Sequence, residues 1–169
     1  KLDDFDLIIF DRYRRRGVLP DIYLQNVAQY VRRGGAVLTA VGPDFATPIS
    51  LSRTALGAIL PSQPTGEVQE IGFRPMPTDK GRRHPVTATL TGIGDKGEAP
   101  AWGRWFRQIG VTGVKGDVLL RGAANGPLLI TARIDNGRVA QLLSDHAWLW
   151  TRGFEGGGPQ AELLRRIAH

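Results

Sequence analysis

The sequence of 169 residues contains no cysteine, which excludes a thiol nucleophile, a disulfide framework and any metal site with thiolate ligands. It has no apolar run approaching the roughly 20 residues that a membrane-spanning helix needs, and no signal peptide. Residue 1 is lysine, and an apolar segment typical of a buried strand already follows at residues 7–10. We therefore expect an excised fragment, truncated at both ends, whose missing membrane segments say little about the whole protein.

The common motifs of cofactor binding and hydrolysis are missing as well. There is no Walker A sequence and no G-x-S-x-G motif. Residues 92–97 match the dinucleotide pattern G-x-G-x-x-G, but no helix pattern follows to bring amide groups to a pyrophosphate, so we interpret them as a surface loop. The three histidines are not spaced as a metal-binding pair, and the adjacent Asp145 and His146 would point to opposite faces of a strand. We expect no cofactor and no metal.

The chain is basic, with 22 lysines and arginines against 16 acidic residues and a formal charge of +6. Many arginines occur in short clusters on separate predicted elements, at residues 14–16, 32–33, 82–83 and 165–166. Such clusters indicate solvated faces first, with arginine stems covering apolar surface, and attraction to an anionic lipid surface second. Because no nucleic-acid-binding motif accompanies them, we expect no nucleic-acid partner.

The spacing of apolar residues predicts an α/β domain without a linker that would divide it. A strand at residues 7–10 precedes a helix that begins at Pro20-Asp21 and stops at Gly34-Gly35, and a second strand follows at residues 36–41. This order favours a parallel pair of strands joined by a right-handed crossover. Two further helices are predicted, a short one from Ser50 or Ser52 to Ile59 and a final one at 161–168. Single strands are predicted at 67–73, as an edge strand, and at 117–121. The strands at 127–134 and 139–143 form a predicted hairpin with its turn at Asn136-Gly137.

Polar residues follow the predicted strands at the edge of the sheet where ligands bind in open α/β folds. The candidate ligand-binding residues are Asp11, Arg12, Gly42, Asp44, Asp145, His146 and Trp148. The contiguous residues Ser144, Asp145 and His146 cannot form a catalytic triad, which needs partners from separate loops. We expect Asp145 to cap the following turn by accepting backbone N–H bonds, and His146 to pack against a tryptophan. No catalytic residue is assigned.

Four segments resemble motifs of the class I glutamine amidotransferase-like domains found in bacterial membrane proteins. Residues 30–43 look like the family segment Y-V-x-x-G-G-x-L-L-x-x-G-G, and residues 54–61 are similar to T-x-L-x-x-L-L-P. Residues 84–86 match H-P-V, and residues 137–148 resemble the ending G-R-V…S-D-x-x-W. The resemblance covers most of the chain, from about residue 6 to residue 150. The same superfamily includes trehalose-utilisation-like proteins and non-catalytic domains of some galactosidases.

The resemblance implies that residues 1–169 form one domain, a flavodoxin-like three-layer α/β/α sandwich with a mostly parallel sheet and a C-terminal antiparallel hairpin. In true amidotransferases a cysteine stands on the sharp turn after a central strand. The corresponding turn here is Val41-Gly42-Pro43, without a cysteine. The resemblance therefore implies a non-catalytic, membrane-associated domain of a membrane protein, which binds a small ligand or protein partners within a membrane complex. The alternative is a hydrolase or carbohydrate-processing enzyme that uses Asp145 and His146 with Asp11.

Overall fold

The first part of the chain folds as the strand–helix–strand unit that its apolar spacing predicts. The computed structural model describes residues 2–169. Its elements are β1 (Ile8–Asp11), α1 (Asp21–Arg32), β2 (Ala36–Ala40), β3 (Gln63–Gln69), β4 (Met76–Pro77), β5 (Gln108–Thr112), β6 (Asp117–Arg121), β7 (Pro127–Ile134), β8 (Gly137–Leu142), α2 (Trp148–Thr151) and α3 (Gln160–Ala168), with short 3-10 turns between them. β1 and β2 are parallel neighbours, as predicted.

The end of α1 depends on two glycines that act differently. Gly34 has φ +128°, a conformation that side chains other than glycine rarely adopt. Gly35 has no positive φ, but a Cβ atom there would collide with the ring of Tyr30. The Tyr30 hydroxyl is held in place because it donates to the Phe5 carbonyl oxygen at 2.7 Å. The helix stop is therefore where the sequence predicts it, with left-handed backbone at Gly34 and close packing at Gly35.

The prediction of a mostly parallel, flavodoxin-like three-layer sandwich was wrong. The six-stranded sheet has the order β1-β2-β8-β7-β6-β4, in which β1–β2 and β2–β8 are parallel and the other three pairs are antiparallel. A separate antiparallel pair joins β3 to β5. The physical reason is that a parallel pair needs a long crossover, usually a helix, whereas β6, β7 and β8 follow one another through short turns and pair with their sequence neighbours.

The hairpin of β7 and β8 differs by one residue from the sequence prediction. Ile134 pairs with Gly137, so the turn residues are Asp135 and Asn136, and Asp135 takes the positive φ of 51°. Gly137 is instead a strand residue, and a Cβ atom there would collide with the carbonyl oxygen of Val31 at the end of α1. Gly137 is therefore required by the close approach of α1 to the sheet rather than by the turn.

Several shorter elements also differ from the predictions. The predicted helix ending at Ile59 is two 3-10 turns, Leu51–Arg53 and Ala55–Ala58. The predicted edge strand at 67–73 lies earlier, as β3, and its partner β5 was not predicted. The strand at 117–121 is confirmed as β6, and the final helix is confirmed as α3 with one additional residue.

The two faces of the sheet carry different layers, because alternate residues of a strand point to opposite faces. Val37 of β2 belongs to the same buried cluster as the apolar face of α1. Leu38 and Ala40 lie on the other face, where residues of α3 lie opposite them across a pocket.

No helix in residues 2–169 is both long enough and apolar enough to cross a membrane.

Three of the four tryptophans form a buried group beyond the end of β8. Trp102, Trp105 and Trp150 are each at most 3% exposed, and their rings contact one another with centroids 4.7–5.3 Å apart. The indole N–H of Trp150 donates to the Gly103 carbonyl oxygen at 2.8 Å. Trp148 is the exception, with 51% of its surface exposed.

Candidate functional site

The ends of β1, β2 and β8 lie side by side, as the sequence predicts. The Arg12 N–H donates to the Ala40 carbonyl oxygen at 2.8 Å, and the Val41 N–H donates to the Leu142 carbonyl oxygen at 3.0 Å. These bonds bring the residues after the three strands to one edge of the sheet. A Cβ atom on Gly42 would lie 3.1 Å from Asp145 Oδ2 and 3.6 Å from Arg12 Cγ.

Four of the predicted ligand-binding residues line a pocket of about 330 Å³ beside this edge: Asp11, Arg12, Asp145 and Trp148. The remaining lining is largely apolar and comes from the sheet face of β1, β2 and β8 and from one side of α3. A concave, mostly apolar pocket with a few polar groups is the usual form of a small-molecule site. We call it the Asp145 pocket.

Asp145 is the most enclosed charged group of this pocket, with a side chain only 8% exposed. Its Oδ2 accepts a hydrogen bond from Arg107 Nη1 at 3.3 Å. Arg107 also contacts the exposed carboxylate of Glu70, with nitrogen–oxygen distances of 3.1 and 3.2 Å. Among residues 2–169, Asp145 Oδ1 has no hydrogen-bond partner at all. A buried carboxylate oxygen without a donor is energetically costly, and Asp145 carries the only such carboxylate oxygen among the described residues.

The predicted capping role of Asp145 belongs instead to its neighbour. Ser144 Oγ accepts a hydrogen bond from the His146 N–H at 3.1 Å and donates to the Arg107 carbonyl oxygen at 2.6 Å. The only hydrogen bond that Asp145 accepts within the described residues comes from the Arg107 guanidinium. The Asp145 carboxylate is therefore not required to end β8.

His146 lies next to Asp145, but its ring is held in one orientation by the backbone. Nδ1 accepts a hydrogen bond from the Phe106 N–H at 3.1 Å, so in the neutral ring the proton is on Nε2. Nε2 is 3.9 Å from Asp145 Oδ1, too far for a hydrogen bond. Burial lowers the pKa of His146 below its ordinary value, although the nearby carboxylate of Asp145 opposes this shift. The ring also meets Trp148 edge to face, with centroids 6.4 Å apart, so the predicted tryptophan contact is confirmed.

Three predicted residues lie outside the lining of the pocket, namely Gly42, Asp44 and His146. Asp44 forms an ion pair with Arg14 at 3.4 Å, and it does not line the pocket. Gly42 is not part of the lining either, but it packs against Asp145 and Arg12 from behind. Arg12 has a positive φ of 47°, which is uncommon for arginine and marks the sharp exit from β1.

Sequence reasoning missed Arg107 and the α3 wall of the pocket. Arg107 immediately precedes β5, which was not predicted, and it is 38 residues from Asp145 in sequence.

Within residues 2–169 no group of three or more histidine, aspartate or glutamate side chains is placed to hold a metal ion.

No protein-family model and no curated protein sequence matches this chain. Solved structures do match. Cytoplasmic protein STM3548 of Salmonella typhimurium has a TM-score of 0.75 at 18% identity, over 99% of this chain and 72% of its own. Cytoplasmic protein STM1381 of Salmonella typhimurium LT2 has a TM-score of 0.73 at 19% identity, with the same coverage. A β-galactosidase from Rahnella sp. R3 has a TM-score of 0.60 at 12% identity, over 98% of this chain and 22% of the enzyme.

At these identities the matches establish a shared fold, and they establish no activity or ligand for this chain. Both Salmonella proteins are described as cytoplasmic. The predictions that this chain is membrane-associated and belongs to a membrane protein are contradicted by these neighbours and were wrong. The β-galactosidase is much longer than this chain, so the shared fold occupies only a part of that enzyme.

Proposed function

We propose that this chain is a non-catalytic, amidotransferase-like domain that binds a small hydroxylated ligand in the Asp145 pocket. The observation that carries the proposal is the buried Asp145 Oδ1, which has no donor in the described part of the chain. Oδ1 has less than 1 Å² of accessible surface, so a ligand hydroxyl would supply that donor after the carboxylate rotates toward the pocket, and it would then remove the cost of leaving the oxygen unpaired. The amidotransferase-like part of the proposal rests on the sequence motifs.

The turn that corresponds to the nucleophile turn of the family is crowded by Asp145. Gly42 lies on this turn after β2. A Cβ atom on Gly42 would be 3.1 Å from Asp145 Oδ2, so a side chain there would require the carboxylate to shift by a few tenths of an ångström. This crowding, together with the absence of cysteine from the sequence, supports a binding role in place of glutamine hydrolysis.

The lining of the pocket favours a sugar-sized ligand. Trp148 presents an exposed indole at the pocket, and such a ring packs well against the apolar face of a pyranose while Asp145 accepts from its hydroxyl groups. The volume of about 330 Å³ lies at the lower end of the usual range for small-molecule pockets. The fold shared with a β-galactosidase is consistent with a carbohydrate ligand.

A hydrolase that uses Asp145 and His146 is less well supported. A general base needs a free lone pair within hydrogen-bond reach of the substrate. The only lone pair of neutral His146 is on Nδ1, and it is occupied by the Phe106 N–H. Protonating His146 would break that bond, and burial also disfavours the charged ring and lowers its pKa.

Saturation-transfer difference NMR with methyl β-D-galactopyranoside tests the binding proposal. We expect transfer to the sugar protons with the parent chain and its loss with Asp145→Asn, which removes the carboxylate. The matched control is Asp44→Asn, the same change at an aspartate outside the pocket, and it should retain the signal. Equal signals from all three proteins, or no signal from the parent, would contradict the proposal.

Incubation with glutamine tests the non-catalytic part separately. We expect no release of ammonia above the blank, because the chain lacks a cysteine and Gly42, on the corresponding turn, carries no nucleophilic side chain. Saturable release of ammonia would refute it whatever the sugar experiment shows.

A further inference from the structure

A second and larger groove lies on the α3 side of the sheet, toward the opposite ends of the same strands. It has a volume of about 750 Å³ and lies between the last turn of α3 and strands β2, β7 and β8. Its floor is apolar and includes Ala36 and Ala140 from the sheet, and Ile167 from α3. We call it the arginine groove, after the two side chains described next.

Arg133 and Arg138 face each other across the β7–β8 hairpin at this groove. They are directly paired in the antiparallel register, so both side chains are on the same face. The Arg138 N–H donates away from β7, to the Gly35 carbonyl oxygen at 3.1 Å, which makes this a non-hydrogen-bonded pair with closely spaced side chains. Like charges directly opposite each other destabilise a sheet, so the pair works against the stability of the hairpin.

Neither arginine is neutralised within residues 2–169. Both are exposed, and neither has a hydrogen bond or an ion pair with another side chain of the described residues. Some exposed arginines elsewhere have carboxylate partners, such as Arg32 with Asp135 at 3.4 Å, whereas others, such as Arg53, have none among the described residues. Arg133 and Arg138 differ from these because two unpaired arginines lie directly opposite each other beside an apolar floor.

The other charged groups of the groove do not cancel this excess. Asp117 lines the groove, but Lys80 binds its carboxylate at 3.3 Å. Arg166 lines it from α3 and is paired with Glu162 one turn earlier in the helix. His84 lies at the same groove, and burial lowers its pKa, so it is neutral near neutral pH. The net charge offered to a ligand comes from Arg133 and Arg138.

We infer that the arginine groove is a docking surface for an acidic segment of a protein partner, with its carboxylates on Arg133 and Arg138 and its apolar side chains on the sheet floor. Arginine binds carboxylates through two parallel hydrogen bonds, so two adjacent arginines fit two acidic side chains of one segment. The apolar floor favours a peptide over a nucleic acid. Single strands bind by stacking on aromatic rings, and the lining has no phenylalanine, tyrosine or tryptophan.

Fluorescence anisotropy with a labelled peptide of alternating leucine and glutamate tests this inference on the full chain. We expect saturable binding that the double variant Arg133→Gln/Arg138→Gln weakens by at least about tenfold. The matched control is Arg53→Gln/Arg152→Gln, which removes the same charge from two exposed arginines outside the groove and should change the affinity by less than about twofold. The groove variant should melt no lower than the parent, because it relieves a repulsion.

Three outcomes would overturn the inference. If the parent does not bind the acidic peptide, the groove is not such a surface. Equal weakening by the two double variants would show that binding follows net charge alone. If a single-stranded oligodeoxythymidine binds more tightly than the peptide and depends on the same two arginines, the surface serves a nucleic acid instead.

Discussion

Removing Arg107 should destabilise the fold much more than removing the negative charge of Asp145. The two side chains form a partly buried ion pair at 3.3 Å, with Asp145 only 8% and Arg107 29% exposed. Deleting one partner of a buried pair is costly when the other charge is left uncompensated. Arg107→Met leaves the enclosed carboxylate without a cation, whereas Asp145→Asn leaves an arginine that still reaches solvent and Glu70.

The magnitudes follow from this asymmetry. For Arg107→Met we expect a loss of about 3 kcal/mol in the free energy of unfolding. For Asp145→Asn the lost charge-assisted bond is offset because a neutral amide is less costly to bury than a carboxylate, so the change should be within about 1 kcal/mol. Glu70→Gln is the control, with less than about 1 kcal/mol, because Glu70 is 64% exposed and its ion pair is solvated.

Urea unfolding at neutral pH, followed by circular dichroism, measures all three variants against the parent. In thermal melts the loss for Arg107→Met corresponds to a decrease of about 6–12 °C for a chain of this size. If Asp145→Asn is as destabilising as Arg107→Met, the carboxylate is a structural element of the fold. In that case the unpaired oxygen of Asp145 does not serve a ligand.

Three further predictions concern the rest of the chain. Gly35→Val should cost about 1–3 kcal/mol because the new side chain collides with the Tyr30 ring, and a thermal melt equal to that of the parent would contradict this packing. Arg138→Glu should raise the free energy of unfolding, measured in urea, by about 0.5 kcal/mol, because the new carboxylate pairs with Arg133 on the neighbouring strand. A loss of stability would contradict the repulsion between Arg133 and Arg138. His146 has a pKa lowered by burial, so the unfolded chain binds protons more readily and stability should fall as the pH decreases below about 6.5. His146→Asn should reduce this dependence of stability on pH. An unchanged dependence would show that other titratable groups cause it.

The sequence predicted those parts of the fold that depend on local pattern. The apolar spacing of α1 and the glycines after it located the first crossover, and the convergence of Arg12, Gly42 and Asp145 followed from it. The hairpin strands were also located to within two residues by alternation and by the turn dipeptide. A glycine can serve a turn or a close contact, and sequence alone did not show that Gly137 serves the contact.

What the sequence did not predict depends on contacts between distant segments. Whether a strand pairs in parallel or antiparallel is decided by its partner, so the antiparallel half of the sheet could not be read from strand patterns alone. Arg107 is separated from Asp145 by 38 residues and follows a stretch without clear periodicity. Nothing local distinguishes it from the paired arginines of the surface.

The fluorescence of Trp148 tests the proposed binding site most directly. Trp148 lines the Asp145 pocket and is exposed, while the other three tryptophans are buried, so quenching by acrylamide reports mainly on Trp148. On titration with methyl β-D-galactopyranoside, we predict saturable protection from quenching in the parent and in Asp44→Asn, and none in Asp145→Asn. Quenching that is unaffected by the sugar in the parent, or equally protected in Asp145→Asn, would contradict the proposed function.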